Sequence, residues 1–142
     1  MKKLRLAASA AALAMAAATS LVTADSASAA NVVTACRTPD LAADGLYVHT
    51  CINTPQYDGH HVWATVSTYG GNNTSINLCV EVLDTNQNVV PGSLACKVVW
   101  GPSGSVASPT VTVGDGFVNA QSFFTSPTYW YGGMSAAICN VC

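Results

Sequence analysis

Beyond residue 30, apolar and polar residues alternate with a period of two through most of the chain. Successive strand side chains point to opposite faces, so this period marks half-buried β-strands, and no long run of Ala, Leu, Glu and Lys competes by forming helix. Strands are expected over residues 47–52, 61–69, 76–83, 94–100, 106–113, 117–124 and 129–131, with short pieces near Val32 and Ile138. The intervening clusters YGGNN, DTNQN, VPGS, GPSG and VGDG supply positive φ or a proline-fixed φ, as tight turns require. About seven short strands at this spacing predict an all-β fold, an immunoglobulin-like antiparallel β-sandwich stapled by disulfides. A small closed barrel is the alternative.

The stretch SINLCVEVL carries the clearest alternation: Ile76, Leu78, Val80 and Val82 share one face, which should be core, and Asn77, Cys79 and Glu81 share the other. After it, LDTNQNVVPG reads as a hairpin turn. With the turn centred on Gln87 and Asn88, Cys79 faces Cys96 at roughly 4.5 to 5.5 Å between Cα atoms, within reach of a disulfide. The same register sets Lys97 against Leu78 on the core face, where a charge is costly. A bulge at Pro91-Gly92 would relieve Lys97 while carrying Cys96 away from Cys79.

The first thirty residues are of another kind. Lys2, Lys3 and Arg5 precede an Ala- and Leu-rich stretch and an A-x-A site, the layout of a bacterial secretory signal peptide cleaved after Ala29 or Ala30. Residues 31–142 then form one secreted β-sandwich domain of 112 residues. Without the leader, Arg37 and Lys97 stand against six carboxylates, a net charge of about −4. Too few cations remain to displace counterions from phosphates, so nucleic acid is excluded as a partner, and an anionic membrane surface is disfavoured once the leader is gone.

All six cysteines fall in the exported part, an even number that reads as three bridges in an oxidising compartment. Cys36 and Cys51 flank the turn-like AADG, which suits a local bridge, and Cys79 with Cys96 is the second. Cys139 and Cys142 form a terminal Cys-x-x-Cys without the βαβ context of a redox motif or a second ligand pair for zinc, and are expected to be structural disulfide partners. The rival scheme joins Cys36 or Cys51 to Cys139 or Cys142.

Catalytic chemistry finds little support. No G-x-S-x-G elbow, phosphate loop or dinucleotide fingerprint is present, and the carboxylates lie mostly in turn-like stretches. His60 and His61 in DGHHVW fall just before or at the start of a strand, where adjacent side chains face opposite ways, so they cannot easily share an ion unless the backbone there is irregular; Asp58 is near enough to orient His60. No catalytic residue, metal ligand or cofactor is therefore assigned. Trp63 and Trp100 lie in strand patterns and are expected in the core or covering a sheet. TYWYGG differs, because alternation sends Tyr129 and Tyr131 to one side and Trp130 to the other, leaving aromatic surface on at least one. Tyr129, Trp130 and Tyr131 are the candidate binding residues, for an unidentified extracellular protein or carbohydrate.

The segment TVTVGDGF, ending at Phe117, resembles one in the tendamistat-type secreted bacterial α-amylase inhibitors, and the Cys36 to Cys51 spacing is similar to that family's first bridge. The resemblance covers about a fifth of the exported chain. It implies a small disulfide-stapled sandwich without catalysis. The family inhibits through a Trp-Arg-Tyr triplet between its first two cysteines, and RTPDLAADGLYVHT contains none, so no inhibitory residue carries over. A secreted binding protein is the leading expectation, and an inhibitor of a secreted hydrolase such as an α-amylase the alternative.

Overall fold

The computed structural model describes residues 31–71 and 73–140. The expected signal peptide and Cys142, with its pairing to Cys139, lie outside the described residues. The chain forms β1 (Val32–Cys36), β2 (Leu41–Ala43), β3 (Leu46–Pro55), β4 (His61–Tyr69), β5 (Ser75–Leu83), β6 (Ala95–Trp100), a 3-10 turn (Gly101–Ser103), β7 (Ser105–Ala107), β8 (Val111–Thr112), β9 (Gly116–Phe124), β10 (Trp130–Met134) and β11 (Ile138–Asn140).

These strands build two antiparallel sheets that pack as a sandwich. The larger runs β1-β3-β4-β7, with β2 also on β3 and β8 also on β4; the smaller runs β10-β9-β5-β6, with β11 also on β9. In the larger sheet, β3 lies beside β4, its neighbour in sequence. An immunoglobulin sandwich instead sets its second strand beside its fifth, so this sheet departs from that expectation. The core lies between the sheets and takes the alternate residues that the period of two predicts: Val48 and Ile52, Val62, Ala64 and Val66, Ile76, Leu78, Val80 and Val82, with Val118, Ala120 and Phe124. A 2.6 Å hydrogen bond between the buried hydroxyls of Thr50 and Ser122 crosses it.

Two short strands escape the sequence pattern for different reasons. β2 is three residues long and pairs with β3 through a two-residue turn, where Asp44 (φ 50°) and Gly45 (φ 76°) both take the positive φ that such hairpins demand. The strand expected over residues 106–113 is broken at Ser108-Pro109. Beyond the break its second piece, β8, continues along the same side of β4 with its register slipped by one residue.

Serine makes this break inexpensive. The N–H of Ser108 donates to the Ala64 carbonyl at 2.9 Å, and its hydroxyl accepts from the Ala64 N–H at 2.9 Å, replacing the lost carbonyl partner. Ser135 does the same between β10 and β11, with both bonds to Ala120 at 2.9 Å. Ser108→Ala and Ser135→Ala each leave a buried N–H unpaired and are expected to cost about 1–3 kcal/mol in urea unfolding. A change of a few tenths of that would show the hydroxyls to be dispensable.

A third serine corrects the β5–β6 hairpin. The turn does not centre on Gln87 and Asn88: Leu83 bridges Val89, and the Asp84 carboxylate accepts from the N–H groups of Asn86 and Asn88 at 2.8 Å each. The chain then bulges through Pro91, Gly92 and Ser93, and the Ser93 hydroxyl accepts from the Val82 N–H at 3.0 Å. The bulge brings Cys96 opposite Cys79, the reverse of the expected effect. Lys97 does lie opposite Leu78, yet it is exposed, because β6 is the rim of its sheet and the facing layer does not cover it.

Disulfides join Cys36 to Cys51 and Cys79 to Cys96. Each ties a rim strand, β1 or β6, to its inner neighbour. Two such bonds fit an oxidising environment.

Candidate functional site

The outer face of the smaller sheet collects exposed aromatic and aliphatic side chains. In β10, Tyr131 pairs with Phe123, whose other neighbour Cys79 is bonded to Cys96 on β6. These residues form a row across the outer surface. Further along β6, Val98 opposes Asn77 and Trp100 opposes Ser75 on the same side. Val98 is 68 % exposed and Trp100 61 %, so Trp100 is not core and lies over the outer face of the sheet, the second of its two expected placements. Trp63 is half-buried on β4.

The aromatic triplet divides as alternation requires. Tyr129 precedes β10 and sets its ring 6.0 Å from that of Phe123, on the outer face with Tyr131. Trp130 pairs with the fully buried Phe124, so it hangs over the open rim between the sheets. All three are exposed, at 61 % for Tyr129, 41 % for Trp130 and 42 % for Tyr131.

Beside them lies Arg37, brought there from the far sheet. β10 shifts register between Tyr131 and Gly133, and the missing Gly133 side chain leaves room for the Arg37 guanidinium: a Cβ there would sit 3.2 Å from its Nη1. Gly133 has φ 95°, a second reason for glycine. Burial pushes the Tyr131 phenol pKa up, against the opposing pull of the Arg37 charge.

Glu81 lies on the same outer side but is buried, with Gln121 Nε2 donating to it at 3.1 Å. Burial raises its pKa above the ordinary 4.5, and the bond from Gln121 only partly offsets this. The unfolded chain therefore ionises first as pH rises, so this contribution to stability is full below about 4.5 and is lost on passing up through the folded-state pKa. Glu81→Gln should remove that decline, raising stability relative to the parent at pH 7 but not at pH 4. An equal effect at both pH values would refute the assignment.

His49 and His61 lie in the other sheet, on β3 and β4, and His60 lies in the turn that precedes β4. His49 Nδ1 donates to Asp40 Oδ1 at 2.6 Å, and the Tyr69 hydroxyl donates to Asp40 Oδ2 at 2.6 Å, with Tyr69 stacked on Tyr47 at 5.2 Å. Partial burial raises the Asp40 pKa, but the bonds from Tyr69 and His49 and the charges of His49 and Arg37 outweigh it and hold the carboxyl below its usual range. Asp58 orients His61 rather than His60: it accepts from His61 Nδ1 at 2.7 Å and takes only the backbone N–H of His60. The His61 bond, working against some desolvation, lowers its pKa. Among the described residues, Cys36, Cys51 and His49 place ligand-type atoms within 4.8 Å of one another, but the two sulfurs are bonded together.

Comparison with protein-family models, curated proteins and solved structures finds no match to this chain. The site therefore rests on its own geometry. Sequence reasoning singled out Tyr129, Trp130 and Tyr131 and missed Val98, Trp100 and Arg37. Adjacency in the chain carries no sign of which strand becomes a rim, or of which side chain crosses between sheets.

Proposed function

We propose that this is a secreted, non-catalytic binding protein that meets an extracellular protein or carbohydrate through the outer face of its smaller sheet. The observation that carries this reading is the concentration of Tyr129, Tyr131, Val98 and Trp100 on one exposed face around the Cys79–Cys96 bridge. Rigid aromatic side chains give contact area at little entropic cost, and the disulfide fixes the strand beneath them. The leader-like first thirty residues and the two disulfides support export. Affinity capture from culture fluid and cell-wall extracts tests the reading. A specific partner should be retained by the parent and lost from Tyr131→Ala and Trp100→Ala. Retention unchanged by both would remove this face from consideration.

A second reading is an inhibitor of a secreted hydrolase, an α-amylase first. It is favoured by Arg37 lying beside β10, which supplies in space the arginine that the Tyr129, Trp130, Tyr131 triplet lacks in sequence. Stoichiometric loss of amylase activity, relieved by Arg37→Ala, would support it. Inactivity against amylases and proteases would eliminate it.

A further inference from the structure

Four rims bound the two sheets, and three are interrupted. The β1/β2 rim breaks at residues 37–40, the β7/β8 rim at Ser108-Pro109, and the β10/β11 rim at Ser135. Such breaks blunt a rim against pairing with another chain. β6 alone among the described rims runs six residues without a break.

The hydrogen-bonding state of β6 follows from its register. Cys79 and Cys96 are 4.1 Å apart at Cα, the short separation of a non-hydrogen-bonded pair, and the state alternates along the ladder. Asn77 with Val98 and Ser75 with Trp100 are then of the same type. The Gly101 N–H bond to the Thr74 carbonyl, 2.8 Å long, fits that phase. The N–H and C=O groups of Cys96, Val98 and Trp100 therefore point away from β5, towards the open side, and no backbone bond to them from another described element is present.

Side chains give this edge a chemical character. Val98 and Trp100 project on one face, and the exposed Lys97 on the other has no ion pair among the described residues. From this geometry we infer that β6 accepts an extended peptide segment as an added strand. The segment would be apolar at alternate positions, over Val98 and Trp100, and acidic between them, opposite Lys97. Main-chain bonds would supply affinity and the two faces selectivity. The inference rests on the binding reading above and narrows it to a protein partner engaged at the rim.

The test uses the mature protein and two capped hexapeptides, one alternating valine and glutamate, the other valine and lysine, followed by amide chemical shifts. The glutamate peptide should move the β6 amides and the lysine peptide should not. Lys97→Glu should reverse that preference, weakening the glutamate peptide about tenfold as a cross-strand attraction becomes a repulsion. Val98→Pro should abolish binding of the glutamate peptide while the β5–β6 ladder stays intact, since the N–H it removes faces outward. Loss of that ladder would leave the Lys97 charge swap as the deciding arm. Failure of the glutamate peptide to bind at millimolar concentration, a preference unmoved by Lys97→Glu, or self-association through β6 in place of peptide binding would each overturn the inference. Capture lost on Tyr131→Ala but insensitive to Lys97→Glu and Val98→Pro would leave the broader aromatic-face reading standing and strand addition refuted.

Discussion

Replacing Cys79 and Cys96 together by alanine is expected to lower the free energy of unfolding by about 3 kcal/mol. The bridge closes a loop with a sequence separation of 17, and loop-closure entropy removed from the unfolded chain gives roughly that value for loops near 15 residues. The loss should be local in the native state as well. β6 touches the rest of its sheet on one side only, so it depends on the staple more than an inner strand would. Hydrogen exchange should show Ala95, Lys97 and Val99, the residues bonded to β5, losing protection before those of β9. Chemical denaturation and exchange together check this. Unchanged stability, or loss spread evenly over both sheets, would contradict it.

Phe124→Ala should cost about 3–5 kcal/mol, the range for truncating a fully buried phenylalanine when its surroundings only partly collapse. Phe124 has no exposed surface and is flanked in register by Leu78 on β5 and Trp130 on β10. Native stabilities of about 5–15 kcal/mol make that loss large. The cavity would open beneath Trp130, so its fluorescence should shift even where the protein remains folded. A stability loss below 1 kcal/mol would show that the core does not rely on this side chain.

Much of the fold was legible because strand alternation is a local property. The limits expected for β4 are those observed, and β5 differs by one residue. AADG declared its hairpin through Asp44 and Gly45. What sequence could not display depended on position in the finished sheet. Lys97 looked like a buried charge because its partner Leu78 is core, yet at the rim the same pairing leaves the ammonium in water. The bulge before β6 was visible in Pro91-Gly92, but its direction was not, since Ser93 completes a ladder bond with a side chain that resembles any loop serine. In the candidate site, the opposite sides taken by Tyr131 and Trp130 followed from alternation. The arrival of Arg37 beside Gly133 depended on packing between sheets.

The placement of the two described bridges also bears on how the chain becomes oxidised. Both lie within locally paired units, β1 with β3 and β5 with β6, at sequence separations of 15 and 17. The pairing of β5 with β9, by contrast, joins segments roughly forty residues apart and carries the greater loop-closure cost. Each unit can bring its own two cysteines together before the sheets meet, so correct pairing of these four needs no finished sandwich, and thiols from the two units have little occasion to exchange.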